Sequence, residues 1–165
     1  MKKILILTGL ALMCSHAYPT NITVDKLMNL NSLNCQSSAQ IVQISNDLNE
    51  QKKRGIKLNQ TKQEIKLDHN VYQGIYAYQN YKTKHMVQDD FAVNFKKYGV
   101  RVIKIAFQAI KTSESESGAY YFIFEGHPST VLYQLKKYFG EKWESEPSFD
   151  ETSQGNTKLS CVYIG

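Results

Sequence analysis

The chain is poor in the residues that carry most enzyme chemistry: its 165 residues include only 3 cysteines and 4 histidines. With an N-terminal leader set aside, His69, His85 and His127 are the remaining imidazole bases, and none sits in a catalytic motif. Nucleophilic catalysis needs an activated nucleophile beside a base, and no G-x-S-x-G elbow supplies one. No glycine-rich loop is present to cradle a phosphate. No paired-cysteine or H-x-x-x-H spacing offers a metal site, and Asp68-His69, being adjacent, reads as a hairpin turn. Asp89-Asp90 reads as a helix start, and the acids of "SESES" and "EKWESEPSFDE" as solvated loops. No cofactor and no metal are expected. A hydrolase of unknown class stays behind the binding readings developed below, because spatially paired carboxylates are invisible in sequence.

Long apolar runs are also missing. The run Ile4 to Met13 is shorter than the about 20 residues that span a bilayer. It follows Lys2-Lys3 and precedes Ser15-His16-Ala17, small residues at the −3 and −1 positions of a cleavage site before Tyr18. That is the pattern of a secretory signal peptide over residues 1–17. Cys14 would suit a lipoprotein, but Met13 stands where such a site wants a small residue. No second long apolar segment follows, so the mature chain is expected to carry no membrane anchor. Removing 17 of the 165 residues leaves 148, enough for one domain with a real core. The organisation expected is a signal peptide over 1–17, a polar, loosely held N-terminal arm over 18–36, and a single domain over 37–165.

Charge is mild. Losing Lys2 and Lys3 with the leader takes the formal charge from +5 to +3, too little to imply nucleic acid or an anionic membrane. The stretch "GAYYFIFEG" is aromatic, as RNA-binding strands are, but it lacks a basic lead residue and follows an acidic loop. Once Cys14 leaves, Cys35 and Cys161 remain, and a lone pair in an exported chain reads as one disulfide.

Three segments end alike. "SSAQIVQISNDLNEQKKRG" spaces Ile41, Ile44 and Leu48 as one helical face, with Ser37 or Ser38 as cap and Gly55 as stop. "QDDFAVNFKKYG" puts Phe91, Phe95 and Tyr98 on one face and stops at Gly99. "PSTVLYQLKKYFG" starts at Pro128, with Ser129 or Thr130 to cap, and stops at Gly140. His127 reads as a strand-to-helix corner. Between and after these helices, "VRVIKIAFQAI" and "AYYFIFEG" form a β-hairpin, and "QEIKLDH" with "VYQGIYAYQ" forms a second about Asn70. "TKLSCVYIG" is a final strand, with "EKWESEP" as a weak partner. The expected fold is α+β: an antiparallel sheet of five to six strands with about three helices, mainly on one face. The elements read either as a repeated helix–strand–strand unit or, omitting the first helix, in the ferredoxin-like order.

"VYQGIYAYQ" also carries the candidate site. In one continuous strand, Val71, Ile75 and Ala77 face one way and Tyr72, Tyr76 and Tyr78 the other, with Tyr81 past the strand's end. In the central hairpin, Ile103, Ile105, Phe107, Phe122 and Phe124 read as core, opposite Lys104, Gln108, Tyr121 and Glu125. Tyr and Lys together suit an amphipathic contact surface, although tyrosine is also an ordinary strand residue. Trp143, in the long "KWESEPSFDETSQGN" stretch, either caps its own helix end or joins the surface.

The expected function is therefore an exported, periplasmic or secreted, protein-binding module of inhibitor or immunity type. Its partner would be another envelope or secreted protein, met by Tyr72, Tyr76, Tyr78, Lys104, Tyr121 and Trp143. The alternative is a periplasmic small-ligand carrier with Tyr72, Tyr76 and Trp143 lining its pocket. The Lys-Lys start suits a bacterial export signal, while Asn21-Ile22-Thr23 and Asn59-Gln60-Thr61 match glycosylation sequons and keep a eukaryotic secretory origin open.

Overall fold

A computed structural model describes residues 20–36, 38–51, 55–111, 116–144 and 147–164. The leader with Cys14, the Lys52-Lys53-Arg54 run and residues 112–115 of the acidic turn lie outside them. The described residues begin with β1 (Thr20–Thr23), a 3-10 turn (Val24–Leu27), α1 (Leu30–Leu33) and α2 (Ala39–Gln51). Seven strands follow: β2 (Leu58–Asn59), β3 (Glu64–Leu67), β4 (Asn70–Gln73), β5 (Ile75–Lys82), β6 (Met86–Lys97), β7 (Val100–Lys111) and β8 (Glu116–Phe124). Then come α3 (Pro128–Phe139), β9 (Phe149–Glu151) and β10 (Thr157–Ile164).

The α+β class holds, but there are two sheets rather than one. A four-stranded mixed sheet runs in the order β1-β4-β3-β2, with β1 parallel to β4. A six-stranded antiparallel sheet runs in the order β5-β6-β7-β8-β10-β9. Neither the repeated unit nor the ferredoxin-like order survives, because the "QDDFAVNFKKYG" segment is strand β6, not a helix. The spacing of its aromatics imitates a helical face. Its neighbours decide otherwise: β6 lies between β5, which pairs with Val87–Val93, and β7, which pairs with most of its length, and these ladders take up the backbone groups that a helix would have bonded within itself. Tyr98 (φ 55°) and Gly99 (φ 81°) are both left-handed, the pair of conformations that a two-residue type I′ hairpin turn requires. A closing glycine thus marks a hairpin here and a helix end at Gly140.

The tyrosine-rich stretch is not one strand. Gly74 (φ 89°) breaks it, sending β4 into the four-stranded sheet and β5 to the edge of the six-stranded one. The N-terminal arm is corrected as well. Ile22, Val24, Leu27, Met28 and Leu33 are buried in the main core. Lys97 Nζ donates to the Asp25 carbonyl at 2.7 Å, and Tyr120 OH donates to the Ser32 carbonyl at 2.8 Å. The disulfide forms as expected between Cys35 and Cys161, with Cα atoms 5.1 Å apart, and fixes the same segment to β10. β10 pairs with β8 and β9, and no described residue of the "EKWESEP" segment pairs with it.

Helix ends follow their local chemistry. Ser38 Oγ accepts from Ile41 N at 3.3 Å at the head of α2. Pro128 opens α3, and the His127 side chain, rather than Ser129 or Thr130, is its cap, accepting from Ser129 N at 3.3 Å. α2 contributes Ile41, Ile44 and Leu48, and α3 contributes Val131 and Leu135, to one core with Phe91, Ile105, Phe107, Phe122, Phe124 and Leu159. No helix among the described residues is long and apolar enough to cross a membrane.

Candidate functional site: the outer face of the six-stranded sheet

Strand alternation and the pairing register divide the six-stranded sheet into two faces. Phe91, Ile105 and Phe122 lie side by side on the core face, as do Phe107 and Tyr120. The next residues along each strand stack on the other face: Asp90 opposite Ala106, Ala106 opposite Tyr121, Lys104 opposite Ile123 and Ile123 opposite Lys158. None of these outward residues belongs to the core cluster in which the arm, α2, α3 and the four-stranded sheet bury their apolar side chains. Among the described residues, then, the supporting elements all lie on one side. The other side keeps apolar Val162, 70% exposed, and Tyr81, 46% exposed.

The centre of this outer face is a bonded polar platform. Lys104 Nζ meets Asp90 Oδ2 at 2.7 Å. Gln88 Nε2 and Tyr121 OH donate to Asp90 Oδ1 at 2.7 and 3.1 Å, and Gln88 Nε2 also reaches Tyr121 OH at 2.5 Å. Asp90 is only 5% exposed, so its charge is acceptable because Lys104 and two donors compensate it. Lys158 Nζ lies over the Tyr121 ring, 4.5 Å from its centroid. Burial, then the charge and hydrogen bond of Asp90, raise the pKa of the Tyr121 phenol and hold it protonated as a donor, against a smaller opposing effect from Gln88. The platform is therefore preset: its side chains are fixed by each other before anything docks.

Of the sequence-expected site residues, the structure brings Lys104 and Tyr121 together and disperses the rest. Tyr72 is 0% exposed, and its hydroxyl donates to Asp47 Oδ2 at 2.6 Å. Tyr76 is exposed at a register shift on edge strand β5. Tyr78 turns to the core side, stacking on Phe91 at 5.5 Å and donating to Asp89 Oδ1 at 2.7 Å. Trp143 packs on Phe139 at 5.3 Å, below the end of α3. The tyrosine row is therefore not a surface, and the pocket expected from Tyr72, Tyr76 and Trp143 does not form. The physical reason is Gly74: the break it makes between β4 and β5 ends the alternation that would have aligned Tyr72 with Tyr76 and Tyr78.

Gln88, Asp90, Tyr81 and Lys158 were missed. Reading β6 as a helix put Asp89-Asp90 at an exposed helix start, whereas in the strand the two acids point to opposite faces and both are buried. Period-two reading of "MVQDDFAV" would have found them. No group of three or more metal-ligating side chains occurs among the described residues. Comparison with known proteins finds no family model, no curated protein and no solved structure that matches this chain.

Proposed function

We propose that the chain is an exported protein-binding module, of inhibitor or immunity type, that meets another envelope or secreted protein with the outer face of its six-stranded sheet. One observation carries this reading: a sheet face with no described element laid on it that joins a rigid Lys104–Asp90–Tyr121 platform to exposed Tyr81 and Val162. Antiparallel sheets can leave one face to water, but such faces are then polar. Here Ile110, Ile123 and Val162 alternate with Lys, Gln and Tyr, the mixture that gives interfaces an apolar centre within hydrogen-bonding groups. Export is supported by the leader pattern and by the Cys35–Cys161 disulfide, a bond that persists in oxidising compartments.

Site-directed photo-crosslinking in the native compartment tests the reading. A photoreactive residue at Val162 should give one discrete adduct with a partner protein. The same probe at Tyr133, which is 64% exposed on α3, should give none. Adducts at both positions, or at Tyr133 alone, would remove the outer face from the argument.

A further inference from the structure

On the opposite face of β6 from Asp90, Asp89 lines a cavity of about 340 Å³, near the small end of ligand-binding clefts. Its walls include Ile56, Val87, Tyr78, Asn80 and Lys82. Asp89 is 4% exposed. Counting hydrogens shows what this cavity offers. Tyr78 OH has one hydrogen and spends it on Asp89 Oδ1 at 2.7 Å. The Asn80 amide has two, directed at Asp89 Oδ1 at 2.7 Å and at the Gln88 carbonyl at 3.4 Å. A carboxylate and a carbonyl both demand the nitrogen there, so the Asn80 oxygen is the free end.

The Tyr78 and Asn80 donors are thus used, and two acceptors are left: Asp89 Oδ2 and Asn80 Oδ1. Asp89 Oδ2 has no donor among the described residues. Among the described residues the sealed polar side-chain atoms without a partner are Asn34 Oδ1 and Trp143 Nε1, so Asp89 Oδ2 is not sealed and opens to the cavity. The flanking Ile56, Val87 and Tyr78 ring are apolar.

We propose that this cavity binds a cationic ammonium or guanidinium group carried on an apolar stem, with Asp89 as its counter-ion. An anion would meet the buried Asp89 carboxylate, while Lys82, the one cation among the lining residues, is exposed to solvent. A neutral hydroxyl would satisfy one oxygen but leave the buried carboxylate without an opposite charge, whereas a cation supplies both the hydrogen bond and the compensating charge. The ammonium hydrogens or guanidinium fork fit the acceptors left over, and the stem fits the wall. Burial, followed by the hydrogen bond and charge of Asp89, raises the Tyr78 pKa against a smaller opposing hydrogen bond from Asn80, which keeps its proton on the Asp89 side. Lys82 lines the same cavity without pairing to Asp89, so it acts as a like charge that weakens binding rather than filling the site.

The shared chemistry could come from a free alkylamine or from a lysine side chain of another protein. NMR titration of the full disulfide-bonded protein separates the two. The probes are n-butylammonium, n-butanol as the neutral shape control, and the capped peptide Gly-Lys-Gly. Saturable shifts at the Asn80 side-chain amide and at Val87 are expected with n-butylammonium and not with n-butanol. Tighter binding of the peptide assigns the site to a protein side chain, and tighter binding of n-butylammonium assigns it to a free amine. Asp89→Asn should weaken binding by about tenfold or more, while Asp150→Asn, exposed on β9 at the opposite edge of the sheet, should leave it unchanged. Lys82→Gln, an exposed and fold-neutral change, should tighten it several-fold. Equal shifts with n-butanol, full binding by Asp89→Asn, or unchanged or weaker binding by Lys82→Gln would overturn the assignment. Because this cavity and the outer face lie on opposite sides of the sheet, failure of one reading leaves the other standing.

Discussion

The molecule builds the same constellation twice. Tyr72 OH and Asn70 Nδ2 converge on Asp47 Oδ2 at 2.6 and 2.8 Å. Tyr78 OH and Asn80 Nδ2 converge on Asp89 Oδ1 at 2.7 and 2.7 Å. In each case the tyrosine and asparagine are two apart on one strand, so they share a face and reach one carboxylate together. The surroundings differ. Tyr72 is wholly buried against α2, while Tyr78 is half-buried and Asn80 exposed beside a cavity at the sheet edge. The first cluster ties α2 to the four-stranded sheet. The second makes the same bonds with its unused acceptors open. A hydrogen-bond pattern therefore does not identify a site; what lies on its far side does.

The largest expected effect separates the two clusters directly. Asp47→Ala strands the Tyr72 hydroxyl in the core and leaves the Asn70 amide without its acceptor. A buried donor without a partner costs about 1–3 kcal/mol, more where the lost partner was charged, so a loss of about 3 kcal/mol is expected. Asp89→Ala should cost about 1 kcal/mol, because Tyr78 and Asn80 can turn to water through the cavity. Urea denaturation of both variants measures the difference. Equal losses would mean the second cluster is as structural as the first.

Gly74 stands between the two clusters, and a side chain there should be felt next. An added Cβ would sit 3.1 Å from Val24 Cγ2, on a backbone at φ +89°. Gly126, at φ +100°, has nothing within 4 Å of its Cβ position. Strain in such a conformation costs about 1–3 kcal/mol. Gly74→Ala should lose about 2 kcal/mol, more than Gly126→Ala, and the difference isolates the Val24 contact. Equal midpoints would show that the arm yields there and does not hold the junction.

That junction also explains what was legible in the sequence. α2, α3 and the β7–β8 hairpin carry strong local signals: apolar residues at helical spacing, a proline at the helix start, and β-branched runs across a turn. The Cys35–Cys161 bond followed from compartment and count. β6 was not legible because Phe91, Phe95 and Tyr98 fit a helix period, and only pairing on both sides selects the strand. The register shift between Ala92 and Phe95 blurs the alternation further. A second shift, between Val102 and Lys104, moves Val102 into the core and leaves Ile103 half-buried, against the expected parity. The arm looked polar because its buried residues, Ile22, Val24, Leu27 and Leu33, are spread through asparagines and threonines that face water. Of the candidate surface, Lys104 and Tyr121 were visible from an unbroken strand. Tyr72 and Tyr78 were misplaced because a glycine inside a strand reads as a gap as readily as a break.

The smallest effect tests whether burial alone sets the two tyrosines apart. Burial, then the hydrogen bond and charge of Asp47, raise the Tyr72 pKa above its usual value; the same causes from Asp89 raise that of Tyr78. In the unfolded chain both phenols ionise near pH 10. Above that pH the native state holds protons that the unfolded state has lost, so stability falls as pH rises. Below it the contribution is fully present. A wholly buried phenol contributes a slope of about 1.4 kcal/mol per pH unit. That slope is reached well above pH 10, so Tyr72→Phe should remove about 1 kcal/mol of the decline between pH 10 and 11, read from urea midpoints against wild type. Tyr78→Phe should remove less, because solvent at the cavity screens its phenolate. If both variants flatten the decline equally, the cavity does not relieve Tyr78, and Asp89 is as sealed as Asp47. The reverse order would place the drier environment at the sheet edge, which the burial of Tyr72 under α2 contradicts.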